Sequence, residues 1–206
     1  MRMSRFTAET SLQNHKSTST KPRFASYEPS ILLFQLVIAG NHDFTMDIPI
    51  FQRKAAEAQS LDPRLIQKFY GNYGEVRKLF GEGKETGITF LDEGIHSFRL
   101  QNGALLDVYA SPYTPSCGDW GFQYRRDFGH DFRIGNVDIV MTHGPPKGIM
   151  DRTDSGQRAG CQHLFKAIAR AQDRPLMHCF GHIHEGWGGK LVRWFCSHIH
   201  TVHDQA

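Results

Sequence analysis

Pro175-Leu176-Met177-His178-Cys179-Phe180-Gly181-His182-Ile183-His184-Glu185-Gly186-Trp187 carries a short apolar run that stops at a glycine and opens into two histidines one residue apart. A run of this length suits a buried strand, and Gly181 and Gly186 mark the turn at its end. With the strand ended at Gly181, His182 and His184 project from a loop instead of entering a core. Alternate residues of extended backbone face opposite ways. The spacing therefore favours two neighbouring metal ions, each taking one imidazole, over one ion taking both. The plainer alternative is a pair of histidines hydrogen-bonded within a turn.

Working outward, Val137 to Thr142 is a second apolar strand, and it stops at His143-Gly144-Pro145-Pro146. Between the two strands Leu164, Phe165, Ile168 and Ala169 lie on one helical face. Strand, helix, strand in this order and length predicts a parallel βαβ unit. Ile31 to Ala39 is apolar almost throughout; at nine residues it is too short to span a bilayer and suits a buried strand. It delivers Gly40-Asn41-His42-Asp43 at its end. Loops at the carboxyl ends of parallel strands face one crevice, so these three strand ends can bring together one amide oxygen and four imidazoles.

The stretch from Phe44 to Phe80 reads as interrupted helix, with Asp62-Pro63 as a start signal and Leu65, Ile66, Phe69 and Tyr70 as an apolar face. Ile88–Leu91, Ile95–Leu100 and Ala104–Ala110, divided by Asp92-Glu93-Gly94 and Gln101-Asn102-Gly103, predict an antiparallel meander. Ser111 to Trp120 is an ordered loop, and the aromatic stretch Trp120, Phe122, Tyr124, Phe128 and Phe132 is packing beneath it. Leu191 to Phe195 is a last short strand.

The 206 residues fit one domain, residues 31–196, between a Ser-, Thr- and Lys-rich disordered leader, 1–30, and a polar tail, 197–206. The net charge of +3 is scattered along the chain, which argues against a nucleic-acid partner. Twelve histidines are an excess that metal binding explains in part. Cys117, Cys161, Cys179 and Cys196 show no paired zinc spacing and read as reduced thiols. With no apolar signal or membrane-spanning run, a cytoplasmic location is expected, and a mitochondrial one comes second because the leader is basic and poor in acids.

Ala39-Gly40-Asn41-His42, Thr142-His143-Gly144-Pro145-Pro146 and Phe180-Gly181-His182-Ile183-His184-Glu185-Gly186 occur in that order. Ser111-Pro112-Tyr113-Thr114-Pro115 and Asp119-Trp120 lie between them. Together they closely resemble the calcineurin-like metallophosphoesterases, and within them the small metallophosphoesterase-domain-containing subgroup, from about Val37 to about Trp194. The resemblance implies an α/β fold, a β-sandwich flanked by helices. It implies a hydrolase of phosphodiester or phosphomonoester bonds acting on a small-molecule phosphate ester with two divalent ions, Mn, Fe or Zn. Asn41, His143 and His182 would bind one ion and His184 the other. His42 would sit over the phosphate, stabilising charge or protonating the leaving oxygen.

The chain departs from that pattern at its start. The family opens with strands ending in Asp-x-His and Gly-Asp, the second aspartate bridging the ions, whereas no aspartate precedes Asp43 here. The expectation is a domain lacking its first strands, with unrelated leader sequence joined near Leu36. Such a chain would bind one ion and hydrolyse phosphate esters weakly, unless Asp43 or Asp47 supplies the bridge. The alternative is a non-catalytic remnant that binds one metal or none.

Overall fold

A computed structural model describes residues 35–58, 62–82, 87–116 and 118–194. The expected leader and tail lie outside the described residues, as do residues 31–34 of the first apolar run. The chain runs β1 (Gln35–Val37), α1 (Ile48–Glu57), α2 (Pro63–Tyr70), α3 (Glu75–Glu82), β2 (Ile88–Phe90), β3 (Gly94–Arg99), β4 (Leu105–Ser111), β5 (Thr114–Pro115), β6 (Gln123–Tyr124), β7 (Ile139–Thr142), α4 (Gln162–Arg170) and β8 (Met177–Phe180). The architecture is mixed α/β. A four-stranded sheet has the order β3-β4-β7-β8, and β1-β2 and β5-β6 form two-stranded sheets.

The expected βαβ unit is β7-α4-β8. Its strands pair in parallel, Ile139 with Met177 through Thr142 with Phe180. Cys161 caps α4 by accepting from Leu164 N at 3.2 Å, and Leu164 and Ile168, one turn apart, are buried. Period-two alternation sorts the sheet into two faces. Tyr109 and Val140 join Leu164, Ile168, Phe132 and Ile134 on one side. Val108 and Ala110 join Leu91 on the other, with Leu36, Ile38, Ile139 and Met141 packed against them.

Three expectations are corrected. The meander is only a hairpin, β3 with β4. β2 instead lies parallel to β1, Gln35 opposite Ile88, and Leu91 N donates to Val37 O at 2.8 Å. The backbone of 88–91 is thereby engaged by β1 before the chain reaches β3. Leu191–Trp194 forms no strand: Leu191 is 83% exposed, and Trp194 holds the segment by packing on Phe165 at 6.0 Å. In α2 the start signal works as expected, with Asp62 Oδ1 accepting from Arg64 N at 2.9 Å. Its apolar face, however, carries no buried residue, and Phe69 is 71% exposed. Of that face Tyr70 turns toward the body of the protein, edge-on to Phe44 at 5.4 Å.

β7 and β8 are also tied by side chains. Thr142 Oγ1 donates to Gly144 O at 2.8 Å and accepts from His178 Nε2 at 2.8 Å, which fixes the proton of His178 on Nε2. Burial pushes the His178 imidazole down to about 3. Cys161 and Cys179 are free thiols, as expected, while Cys117 and Cys196 lie outside the described residues. Among the described residues no helix is long and apolar enough to cross a membrane.

Leu164→Ala removes a side chain that is 1% exposed and should lower the unfolding free energy by roughly 2–5 kcal/mol in urea titration. Leu191→Ala should change it by less than about 0.5 kcal/mol. The folded His178 binds its proton more weakly than the unfolded chain, so stability is fully present above the unfolded pKa near 6.5 and falls as pH drops toward 3. Chemical denaturation between those limits should show His178→Gln, which keeps a donor for Thr142, flattening the slope by up to about 1.4 kcal/mol per pH unit.

Candidate functional site

The turn after β1 is closed twice. Asp43 N donates to Gly40 O at 3.0 Å, and Gly40 N donates to Asp43 Oδ2 at 2.8 Å. The turn buries Asn41, 2% exposed, and leaves His42 at the surface. At the end of β7 the ladder continues for one more residue: His143 N donates to Ser111 O at 3.0 Å, and Gly181 N donates to His143 O at 2.9 Å. His143 is thus held between the ends of β4 and β8. Its ring lies over Gly40, where a Cβ would stand 2.6 Å from the imidazole, so a larger residue there would displace the ring. His143 Nε2 meets Asn41 Oδ1 at 2.7 Å and must donate to it, since an amide oxygen only accepts. The His182 ring stands 4.7 Å from that of His143, centroid to centroid. The three strand ends converge.

Burial, then the neighbouring charges of His182, His42 and His184, push His143 down to about 3. His182 is lowered by burial first, then by His184 and His42. Both imidazoles are therefore neutral near pH 7, the form that binds metals. No carboxylate is among the charges acting on His143. Asp43 and Asp47 are engaged elsewhere. Asp43 closes the Gly40 turn, and Asp47 caps α1 by accepting from Ile50 N at 3.3 Å while its other oxygen accepts from Phe122 N at 2.8 Å. Among the described residues no three His, Cys, Asp or Glu side chains are grouped to hold a metal ion. What converges is a neutral set, two imidazoles and one amide oxygen. Imidazole and amide donors of this kind are those that suit borderline divalent ions.

The alternation argument for His182 and His184 does not hold. His182 adopts a left-handed backbone, φ 69°, and His184 opens a 3-10 turn, His184–Gly186, so strand geometry does not set their directions. His184 is near enough to help lower His143 and His182, and no ring contact joins it to either among the described residues. His42 packs against Trp120, ring centroids 4.6 Å apart, and Lys54 Nζ lies 5.4 Å from the same indole. The aromatic stretch is accordingly divided. Phe122 and Phe132 are core, as expected, whereas Trp120 flanks the site and Phe128 is 76% exposed.

Two supporting groups carried no signal in the sequence. Glu93, in an expected turn, accepts from Ser111 Oγ at 2.7 Å, His130 Nε2 at 2.7 Å and Tyr109 OH at 3.2 Å. Burial works to raise its carboxyl, but the hydrogen bonds from His130 and Ser111 win and hold it below the ordinary value. Ser111 is the residue whose carbonyl holds His143 N, so this network stands directly behind the cluster. Asp151, fully buried, accepts from Arg158 Nη1 and Gly148 N, each at 2.8 Å, and braces the loop between His143 and α4. Glu93 is far in sequence from everything it holds, Asp151 holds only its own loop, and no motif marks either.

No protein-family model matches the chain. It is 33% identical over 164 residues to human metallophosphoesterase domain-containing protein 1, covering 75% of this chain and 46% of that protein. It is 28% identical over 167 residues to a UPF0046 protein of Caenorhabditis elegans, covering 75% of this chain and 39% of that one. A probable rhamnogalacturonate lyase C of Emericella nidulans is 30% identical over 163 residues, which is 78% of this chain but 13% of the lyase. The chain thus spans less than half the length of the relatives it matches. At 33% identity over three quarters of its length to the human protein, the chain belongs to the metallophosphoesterase-domain family.

Proposed function

We propose that the chain is a hydrolase of small phosphate esters that works slowly, with one divalent ion of the Mn, Fe or Zn type held by Asn41, His143 and His182. The observation that supports this reading is the meeting of the Asn41 amide oxygen and two neutral imidazoles, brought from three separate strand ends. An ion there would supply positive charge opposite the phosphoryl oxygens and a more acidic water. The chain's own groups do the rest. His143 is fixed by Gly40 below and by the β4 and β8 backbones on either side, so its ring is already in place and only the proton shared with Asn41 has to move.

His42 stands at the open side, its ring held by Trp120, where it can give a proton to the leaving oxygen. Lys54, paired to Asp119 at 3.1 Å, adds positive charge beside that indole. His184 contributes a further imidazole at the margin. The rate is low because no carboxylate among the described residues enters the cluster to hold a second ion.

Elemental analysis after loading with manganese or zinc should find no more than one tightly held ion per chain. Asn41→Ala and His143→Ala should each reduce that content severalfold, since either removes a donor from a set of three. Slow, metal-dependent hydrolysis of bis(p-nitrophenyl) phosphate is expected. His42→Ala should lower kcat by roughly a hundredfold and leave the metal content alone. Gly40→Ala should lower both by displacing the His143 ring. Two bound ions, or turnover indifferent to His143→Ala, would show the reading wrong.

A further inference from the structure

Away from the imidazole cluster, α4 and the 130–136 segment enclose a groove of about 390 Å³. That is within the range of small-molecule sites. None of Asn41, His42, His143, His182 or His184 lines it. Its cations, Lys166 and Arg170, share one face of α4 with His163, three and seven residues before them. Among the described residues these three side chains make no hydrogen bond or ion pair. The carboxylate at the lip, Asp131, is already taken by Arg133 Nε at 2.8 Å. The unpaired charge facing the groove is therefore positive.

Beneath it the walls are fixed. Phe132 and Ile134 belong to the core, 6% and 4% exposed, and Ala167 packs against the same cluster, so the floor is apolar. The His163 ring lies on the backbone of Gly129, whose φ of +73° and missing side chain admit it; a Cβ there would overlap the imidazole. At the inner end His130 is held by Glu93 and stacked on Tyr113 at 4.4 Å. A rigid apolar floor beneath unpaired cations is complementary to a negative group attached to a compact apolar body.

We propose that this groove is a second binding site, taking a small organic anion whose phosphate or carboxylate lies against Lys166 and Arg170 and whose apolar part rests on Phe132, Ile134 and Ala167. The site is independent of the hydrolytic reading.

Titration calorimetry of the full chain with phenylphosphonate and with benzoate tests the proposal. At least one should bind at about 1 mM or tighter. Lys166→Met with Arg170→Met keeps the aliphatic stems and should weaken binding about tenfold or more. Asn41→Ala with His143→Ala should leave it unchanged. Tighter binding of phenylphosphonate would mark a phosphoryl ligand, and tighter binding of benzoate a carboxylate. Both substituted cations are exposed, so unfolding temperature should be unaltered. As a second readout, the His163 ring resonances should move on saturation in the unsubstituted chain only. Binding that survives the loss of both cations, binding abolished by the Asn41 and His143 substitutions, or no saturable binding of either anion would overturn the proposal.

Discussion

The His143 imidazole occupies the space that a side chain on residue 40 would fill, and the rest of the site depends on that contact. Gly40 ends the β1 segment without a Cβ, which lets the ring of a residue 103 positions later come down onto the backbone and reach the next side chain, Asn41. The β4 and β8 backbones grip His143 from both sides, so its position follows from sheet register and not from its own rotamer. A ring so placed is largely cut off from water and surrounded by other imidazoles. It is neutral for that reason, and its basic nitrogen is available to a metal once the proton shared with Asn41 is displaced.

Carboxylates are not scarce around this cluster, but they serve the frame. Asp43 closes the Gly40 turn, Asp47 caps α1 and holds Phe122, Glu93 ties Ser111 to His130, and Asp151 braces the loop leading to α4. Each is aimed at a backbone amide or a side-chain donor, so turning it toward the cluster would break a contact that positions a site residue. The electrostatic consequence is large. Two doubly charged ions about 4 Å apart repel by about 17 kcal/mol at an effective dielectric near 20, and neutral imidazoles supply no opposing charge. Two ions need an anion between them; one ion does not.

The parts legible in the sequence are those that local chemistry determines. The βαβ unit shows in two apolar runs ended by glycine and a helical face between them, and Asp62-Pro63 marks the start of α2 because capping needs only neighbours. The three motif ends point to one site because parallel strands deliver their carboxyl ends to one edge. What stayed hidden depends on distant partners. Nothing local tells that Ile88–Phe90 pairs with β1 instead of β3, or that Phe69 on a well-formed amphipathic face is left in solvent. At His182 extended backbone is the natural expectation because a non-glycine residue rarely takes positive φ, and that exception redirects the side chain. Glu93 carries no local signal for the opposite reason: a charged residue next to glycine between strands looks like any turn.

Two polar clamps explain how the cluster can be assembled before any ion arrives. On one side Glu93 gathers Ser111, Tyr109 and His130, fixing the end of β4 that holds His143 N. On the other, His178 donates to Thr142, which donates to Gly144, so the residues immediately before and after His143 are locked to β8. Each clamp is partly or wholly withdrawn from water, where an unsatisfied hydroxyl, carboxylate or imidazole is costly, so the bonds within it are hard to exchange for hydrogen bonds to solvent. Four like groups that would repel on protonation are thereby kept in proximity by neutrality and by the backbone, with no charge attraction between them. The frame pays for convergence in advance, and a donor set ordered this way can bind an ion without first losing the entropy of three flexible side chains.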